Sequence, residues 1–572
     1  MIQTQHSTRF VMTKEEAVSD NGMVATKDRL ATEAGLEMLE AGGNAVDAAV
    51  AAAFAVGVVE PGSSGLGGGG YLTYQVGDQG GVIGFPMRGP LDARPDMYEL
   101  TGEPAVGSFG WAGVVNDENL EGYRSIAVPG AVAGLCEAQS RLGRLPLSEV
   151  VAPAVRLARE GHAPGWHNLY SMGLHAGKLM RYAELARIFM PDGNMPTGDL
   201  VNPPSLRQPE LADTLDAIGK GGADAFYRGD IAKAIVSDIR DNGGVLSEED
   251  MARYRPFVWD KGLEFTYRGH TVRVPPYASA GATSAMTLKM LDGFDLRALG
   301  HNSPEMLHAY ISCARLAYAD RFEYFADPDF VDVPWKGLLS DAYTERRRSE
   351  IGERAPASFK AGDPWTEEGR RPKEVLPPSR PALDDGTTHL CVIDGEGNAV
   401  SLTNTLMSAF GSGIVAKGTG VTMNDGMMWF DPIPGRINSI VPGKSGLNNM
   451  TPALVLDGDG VRMAVGASGG RRITNCVTQL IMNVLDFDMG PQAAIDSPRI
   501  DCSTPDISLD PRLVSDVVAA LEQRGHSLHS MGAGIVETGF ASFASPVAIV
   551  RDGDRRLRAG ADTFHSAHAQ GR

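Results

Sequence analysis

The sequence predicts an α/β protein built in layers, and two patterns along the chain support this class. Ala- and Leu-rich stretches with helical apolar spacing recur in the first part of the chain. After a proline-rich segment, short alternating strands precede one strongly amphipathic helix. Strands and helices mixed in this way are typical of sheets covered by helices. No repeat of fixed period is present, which argues against a solenoid or a propeller.

The first part of the chain is predicted to open with two helices over residues 32–59. The run is broken once, at "AGGNAV", where Asn44 is a candidate N-cap for the second helix. The glycine-rich turn "PGSSGLGGGG" then leads into the strand "YLTYQV". Because this turn lies before a strand and not after one, it indicates close backbone packing and not a dinucleotide site. Further helices are predicted at 148–161 and 229–244.

Residues 360–386 are rich in proline, arginine and acidic side chains and have no apolar period. They are therefore predicted to form an exposed linker that divides the chain into two parts. The second part is predicted to contain strands at 388–394, 399–406 and 452–468, and helices at 472–487 and 511–525.

The composition excludes several classes of function. The 572 residues carry a formal net charge of −19, which argues against nucleic-acid binding and favours a small-molecule partner. The five cysteines form no C-x-x-C pair and the histidines have no zinc-ligand spacing, so no metal is expected. No apolar run is long enough to span a bilayer, and the first residues do not resemble a secretory signal. We therefore expect a soluble, cytoplasmic protein.

One candidate nucleophile is the serine of "GASGG", residues 466–470. The motif satisfies G-x-S-x-G between a predicted strand and a predicted helix, and His526 follows as a candidate base. Ser468 is the nucleophile in this hypothesis. In the alternative, Gly469 and Gly470 supply backbone N–H groups that bind an oxyanion at a helix N-terminus.

A second candidate nucleophile is the first threonine of "GTTH", residues 386–389. A threonine hydroxyl needs an adjacent base, and its own α-amine can serve once the chain is cut before it. Gly386 offers no side-chain hindrance to a self-cleavage in which Thr387 attacks the preceding carbonyl. The alternative is an ordinary β-strand, because Thr-Thr is common in strands.

Six stretches spread over nearly the whole chain carry a resemblance to a known family. They are "AGLEMLEAGGNAVDAAVAAAFAVGVVEPGSSGLGGGGYLTY", "RSIAVPGAVAGL", "AFYRGDIAKAIVSDIRDNGGVLSEEDMARY", "RLAYADRFEYFADPDFV", "GTTHLCVIDGEGNAVSLTNTLMSAFGSG" and "MTPALVLDGDGVRMAVGASGGRRITNCVTQ". Together they resemble the γ-glutamyltransferase (γ-glutamyltranspeptidase) family of N-terminal-nucleophile hydrolases. The resemblance implies a four-layer αββα sandwich made of a large subunit, 1–386, and a small subunit, 387–572. These subunits would be cut from one precursor and stay associated, and a dimer of the processed pair is compatible with the family.

The resemblance also implies roles for individual residues and no cofactor. Thr387 matches the nucleophile at the cleavage site, and Thr405 in "LTNTL" matches the threonine that hydrogen-bonds to it. Gly469 and Gly470 match the pair of glycines whose amides form the oxyanion hole. Ser468 then becomes a residue that lines the site.

The residues that bind the γ-glutamyl group in the family are replaced in this chain. Asn448 and Asn449 stand where the family has paired serines before "MTP". Met407 replaces an asparagine, and Trp429 replaces the aspartate that binds the α-ammonium. Because a buried ammonium without a partner is costly, ordinary glutamyl recognition is not expected.

The carboxylate-binding arginine of the family is also displaced. Pro86 occupies its place, and Arg88 is near enough in sequence to substitute. Arg436 and Arg471 are further candidates for a substrate carboxylate, and a structural role is the alternative for each. The segment between residues 430 and 448 is shorter than the lid loop of the transpeptidases, which favours hydrolysis over transfer.

These observations predict an autoprocessed threonine amidohydrolase that cleaves a small amide through an acyl-enzyme, with an oxamate-type or acylase-type substrate. A γ-glutamyltransferase or glutathione hydrolase acting on γ-glutamyl amides is the main alternative. A serine hydrolase that uses Ser468 and a non-catalytic binding relative are the others.

Overall fold

The part of the chain that the structure describes contains two seven-stranded β-sheets packed face to face, with helices on both outer sides. The structure is a computed structural model that describes residues 12–572 except 105–110, 200, 202, 373, 375, 379–385, 505 and 531–542. One apolar cluster lies between the two sheets. Each sheet also has a larger apolar cluster between its outer face and the helices that cover it. The layered α/β prediction is therefore confirmed.

The strands are short and are numbered along the chain. They are β1 (Ala17–Ser19), β2 (Gly22–Thr26), β3 (Gly69–Val76), β4 (Gln79–Phe85), β5 (Leu100–Pro104), β6 (Ala112–Val114), β7 (Phe257–Trp259), β8 (Leu263–Tyr267), β9 (His270–Val274), β10 (Gly386–Asp394), β11 (Ala399–Met407), β12 (Val415–Ala416), β13 (Val421–Thr422), β14 (Ala453–Asp457), β15 (Gly460–Ser468), β16 (Ile500–Asp501), β17 (Ile507–Leu509), β18 (Leu528–Ser530), β19 (Ser545–Arg551), β20 (Leu557–Ala561) and β21 (His568–Gly571).

The helices are numbered in the same way. They are α1 (Arg29–Glu40), α2 (Ala45–Val59), α3 (Ala131–Leu142), α4 (Leu147–Glu160), α5 (Trp166–Leu174), α6 (Ala176–Arg181), α7 (Ala183–Phe189), α8 (Pro209–Tyr227), α9 (Asp230–Asp241), α10 (Glu248–Arg253), α11 (Gly281–Leu291), α12 (Leu296–Leu299), α13 (Pro304–Tyr324), α14 (Trp335–Leu339), α15 (Asp341–Ser349), α16 (Trp365–Glu368), α17 (Arg472–Leu485), α18 (Pro491–Asp496) and α19 (Ser515–Gln523). Within the described residues, no helix combines the length and the apolar composition needed to cross a membrane.

Both large sheets mix strands from the two sides of residue 386. The first sheet has the order β21, β2, β10, β11, β3, β4, β7, and the second has the order β1, β20, β19, β15, β14, β9, β8. All of these pairings are antiparallel. Each sheet therefore depends on hydrogen bonds between residues 1–386 and residues 387–572.

Helix α2 is a core helix, because its side chains are apolar almost all round. Nearly every residue from Ala45 to Val59 is buried. The helix begins at Asn44, whose side chain accepts hydrogen bonds from the backbone N–H groups of Val46 and Asp47, while Asp47 completes a capping box. The predicted N-cap is confirmed.

The glycine-rich turn before β3 packs directly against β11. A Cβ atom on Gly68 would lie 2.2 Å from the carbonyl oxygen of Thr405, and one on Gly70 would lie 2.1 Å from that of Thr403. Only glycine fits at such distances. The interpretation of this segment as a close backbone approach is confirmed, and it fixes β11 beside the candidate site.

Two expectations from the sequence differ from the structure. The predicted linker contains the short helix α16, and Trp365 in it is only 7% exposed, so this part of the segment is packed against the protein and is not an exposed linker. The indole contributes buried apolar area that the charged composition around it conceals. The last predicted helix begins at Ser515 and not at residue 511, because Pro511 and its neighbours form a turn.

Candidate active site

The candidate nucleophile lies at the start of β10, in the middle of the first sheet. Thr387 is 2% exposed and pairs with Thr405 of β11, and a register shift separates Gly386 from Thr387. Thr405 in turn pairs with Gly69 of β3. Because side chains alternate along a strand, Thr387, His389 and Thr405 point to the same face, towards the second sheet.

Three groups form a continuous hydrogen-bonded chain at the Gly386–Thr387 peptide bond. The Thr387 Oγ1 and Thr405 Oγ1 atoms are 3.0 Å apart, and Thr405 Oγ1 donates to the carbonyl oxygen of Gly386 at 2.5 Å. The hydroxyl of Thr405 has one proton, so it accepts the hydrogen bond from Thr387. This arrangement polarises the Gly386 carbonyl and orients the Thr387 hydroxyl group beside it.

The backbone of Met407 helps to hold Thr405 in this position. Its N–H group donates to Thr405 Oγ1 at 2.9 Å. Met407 has φ +92°, in a region that residues with a Cβ rarely adopt. Backbone strain of this kind clusters at functional sites, where the surrounding structure maintains it.

Gly469 and Gly470 form the turn between β15 and α17. Their φ angles of +127° and +60° favour glycine, and a Cβ atom on Gly469 would lie 2.7 Å from Cα of Ala544. The turn precedes the N-terminus of a helix of 14 residues, where backbone N–H groups lack intrahelical acceptors. Such groups are suited to bind an oxyanion.

Contacts between the sheets bring this turn to the same end of the sandwich as Thr387. The Ser401 hydroxyl, on the residue opposite Cys391, donates to the carbonyl oxygen of Val465 at 3.0 Å. Two residues closer to Thr387, the ring of His389 packs on Gly466. Moving along β10 towards Thr387 therefore means moving along β15 towards Gly469, so both residues lie at the same end of the sandwich.

His389 is the imidazole nearest to Thr387 in the sequence, and it is neutral. Burial and the Lys27 ammonium lower the pKa of His389 to about 3. Its Nδ1 atom lies 2.9 Å from Thr403 Oγ1 and its Nε2 atom lies 3.2 Å from Cys391 Sγ. His389 is therefore committed to partners other than the hydroxyl of Thr387.

Two of the predicted substrate-binding residues belong to an apolar cluster. Met407 and Trp429 are almost fully buried, and Met428 is 6% exposed. The other members of this cluster include Tyr71 of β3, Val82 of β4, and methionine and aromatic side chains of the loop that follows β4. Asp431, the acidic side chain nearest to Trp429 in the sequence, pairs with Arg436 at 3.2 Å, and Asp425 accepts from the Ser408 N–H group at 2.9 Å. These predicted substrate-binding positions therefore carry buried apolar side chains.

The two asparagines are held in place by a buried arginine. Asn448 donates from Nδ2 to the Tyr71 hydroxyl and to the Ala278 carbonyl oxygen, both at 3.1 Å. Arg321 donates to the carbonyl oxygen of Asn448 at 2.6 Å and to Oδ1 of Asn449 at 3.2 Å. No local sequence pattern indicates this role for Arg321, which lies more than a hundred residues away.

The candidate arginines differ in their surroundings. Arg88 is half-buried, and its guanidinium lies 4.2 Å from the centre of the Phe257 ring and donates to the carbonyl oxygen of Arg255. Arg436 forms an ion pair with Asp431 at 3.2 Å. Arg471 is 3% exposed, beside the glycine turn. Arg88 and Arg436 therefore already have structural partners.

A sequence model described as gamma-glutamyltranspeptidase matches residues 31–571. The chain belongs to this family. The Acylase ACY 1 proenzyme of Pseudomonas sp. (strain V22) is 34% identical over 522 residues, which cover 91% of this chain and 89% of that protein. The glutathione hydrolase proenzyme of Bacillus subtilis (strain 168) is 34% identical over 520 residues, which cover 90% and 86%.

A solved structure has the same fold over the full length. The cephalosporin acylase from Bacillus halodurans has a TM-score of 0.85 and 28% identity, with all of both chains covered. The resemblance to the gamma-glutamyltranspeptidase family is thereby confirmed, and the chain is an enzyme of a hydrolytic family.

The hydroxyl group of Ser468, the alternative nucleophile, accepts a hydrogen bond from a lysine and not from a histidine. Lys27 donates from Nζ to Ser468 Oγ at 2.9 Å. His526, the candidate base, instead forms a hydrogen bond of 2.8 Å with His308 of α13. Ser468 is 3% exposed. The serine and histidine of the alternative hypothesis are thus each engaged by other partners.

Proposed function

We propose that this member of the gamma-glutamyltranspeptidase family is a self-cleaving threonine amidohydrolase. The observation that carries the proposal is the hydroxyl chain from Thr387 through Thr405 to the carbonyl oxygen of Gly386. In the first step Thr387 Oγ1 attacks the Gly386 carbonyl carbon, and the peptide nitrogen leaves as the α-amine of Thr387. Water then hydrolyses the resulting ester and releases residues 1–386 from 387–572.

The released α-amine supplies the base for the second reaction. It takes the proton of Thr387 Oγ1 as this atom attacks the amide carbonyl of a substrate, and it returns the proton to the leaving amine. The N–H groups of Gly469 and Gly470 stabilise the oxyanion, a contribution worth about 10²–10³ in rate for one donor. Water then hydrolyses the acyl-enzyme.

The substrate we propose is an N-acyl amide whose acyl group lacks an α-ammonium. Met428 and Trp429 stand where the family has its acidic pair, and both are buried in the apolar cluster. An ammonium placed there without a counter-charge would lose its hydration. The names of the acylase relatives support this class of substrate.

A γ-glutamyl amide is the second candidate substrate. It is favoured by the glutathione hydrolase of Bacillus subtilis, which is as similar to this chain as the acylase is. Both candidate substrates would be cleaved by the same mechanism. They differ in the acyl group that the pocket has to bind.

Intact mass and N-terminal sequencing of the purified protein test the mechanism, with Thr387→Ala as the matched variant. We expect two fragments, the smaller beginning Thr-Thr-His-Leu, and only full-length chain from the variant. A single uncut chain from the unmutated protein would contradict self-cleavage. Turnover of glutaryl and γ-glutamyl p-nitroanilides then distinguishes the two substrate classes.

A further inference from the structure

A buried ion pair lies between the candidate nucleophile strand and the oxyanion turn. Lys27 follows β2 and Glu60 follows α2, and their Nζ and Oε1 atoms are 3.7 Å apart, with side chains only 3% and 5% exposed. The Lys27 ammonium also donates to Ser468 Oγ at 2.9 Å. The Glu60 carboxylate accepts from Thr388 Oγ1 at 3.2 Å.

Each end of this network adjoins a residue of the proposed mechanism. Thr388 directly follows Thr387, and Ser468 directly precedes Gly469. The two charged residues belong to the part before the proposed cleavage point, and the two hydroxyl residues belong to the part after it. The pair therefore connects the nucleophile strand to the oxyanion turn through side chains of the other subunit.

We propose that Lys27 and Glu60 are positioning residues that set the distance between Thr387 and the amides of Gly469 and Gly470. This inference rests on the proposed function. A misplacement of about 1 Å between reacting groups can cost roughly 10²-fold in rate. Loss of the pair should therefore slow both self-cleavage and turnover without weakening the binding of substrate.

Two other roles for the pair are weaker. Lys27 could act as the base for Ser468, but its Nζ atom donates to Ser468 Oγ at 2.9 Å and lies 3.7 Å from Glu60 Oε1, so it is already engaged by both partners. The pair could also serve stability alone. Buried pairs, however, often contribute little net stability, because removal of both charges from water offsets their attraction.

Because a buried ion pair often contributes little net stability, variants can separate an effect on stability from an effect on the position of the site. Lys27→Met or Glu60→Gln alone leaves one buried charge unpaired, so each should lower the melting temperature. The double variant Lys27→Met/Glu60→Gln removes both charges and should regain most of the loss. If the pair positions the site, the double variant still cleaves itself about tenfold or more slowly, and kcat falls while KM stays within about twofold.

A matched control is the pair Arg268 and Asp486, with Nε and Oδ1 atoms 2.7 Å apart. Asp486 lies just beyond the far end of α17, roughly 20 Å from the glycine turn. Arg268→Met/Asp486→Asn should change stability and leave the cleavage rate of the folded protein unchanged.

Thr388→Val and Ser468→Ala each remove one hydrogen bond of the Lys27–Glu60 network without altering its charge. Each variant should lower kcat more than it changes KM.

The outcomes are distinguishable. If the unmutated protein cleaves itself and the folded double variant cleaves equally fast, the positioning role is wrong and the proposed function stands. The same conclusion follows if the double variant does not fold and Thr388→Val and Ser468→Ala both keep the wild-type rate. If the unmutated protein does not cleave, the proposed function fails and the inference fails with it.

Discussion

The hydroxyl group of Thr405 lies 3.0 Å from that of Thr387 and 2.5 Å from the carbonyl oxygen of Gly386. One side chain thus contacts the attacking atom and the bond that we propose it cleaves. Its position depends on the Met407 N–H group and on the close packing of Gly68 against the backbone of Thr405.

Removal of this hydroxyl should slow self-cleavage. We expect Thr405→Ala to reduce the rate by about 10²-fold, because the scissile carbonyl loses its donor. Thr405→Ser should retain part of the rate, since it keeps the hydroxyl but not the rotamer restriction of the β-branched side chain. Time courses of the two fragments on denaturing gels measure both. Thr403→Val, two residues away on the same face, is the control, and an equal loss there would contradict a specific role for Thr405.

The glycine turn should not accept a side chain. Gly469→Ala places a Cβ atom 2.7 Å from Cα of Ala544, at a φ of +127°, so the turn has to move. We expect kcat to fall by about 10²-fold, because the N–H groups lose their alignment. Gly458→Ala is the control on the hairpin of the same strand, since its Cβ atom would meet no other atom within 4 Å. Unchanged kcat in Gly469→Ala would exclude this turn as the oxyanion site.

The sequence predicted those features that depend on neighbours along the chain. Asn44 as an N-cap, and the glycines before β3, follow from local patterns that physical chemistry interprets directly. Thr387 is different, because Thr-Thr is ordinary in a strand and only the resemblance to the family favoured a nucleophile over a plain strand.

The contacts that surround the site could not be predicted in this way. Lys27 and Ser468 are 441 residues apart in the sequence, and Arg321 reaches asparagines 127 and 128 residues away. Such contacts depend on which strands neighbour each other, and no local pattern encodes the order of the strands. Trp365 was missed for a related reason, because α16 packs against α14, which lies earlier in the chain.

The apolar cluster should determine the choice of acyl group. Trp429→Asp places a carboxylate where the family binds the α-ammonium, and a charged hydrogen bond is worth about 1.5–3 kcal/mol. We expect the ratio of γ-glutamyl to glutaryl p-nitroanilide hydrolysis to rise at least about tenfold. Trp429→Phe keeps the pocket apolar and should leave the ratio unchanged. If both variants change the ratio alike, pocket volume and not charge decides specificity.

Asp28 should make the stability of the protein depend on pH. Its carboxylate caps α1 by accepting from the Leu30 N–H group at 2.8 Å, and burial raises the pKa of Asp28 to about 7. Because this pKa lies above the unfolded value, the stabilisation is complete below about pH 4 and is lost as the pH rises through about 7. Asp28→Asn keeps a capping oxygen without ionising, so its melting temperature should exceed that of the wild type increasingly between about pH 5 and pH 8. If the difference in melting temperature stays constant over this range, Asp28 does not titrate there. The control is Asp295→Asn, at the exposed N-cap of α12.

The two products of self-cleavage should remain together without a covalent link. Strands β10 and β11 lie between β2 and β3, and β14, β15, β19 and β20 lie between β1 and β9, so separation would break hydrogen bonds on both sides of each group. It would also expose the apolar cluster between the sheets to water. Size-exclusion chromatography with light scattering should therefore find both fragments in one particle, at no less than the mass of the uncut chain, until denaturant unfolds them. Fragments that elute separately under native conditions would contradict this interleaved arrangement, because neither fragment contains all strands of either seven-stranded sheet.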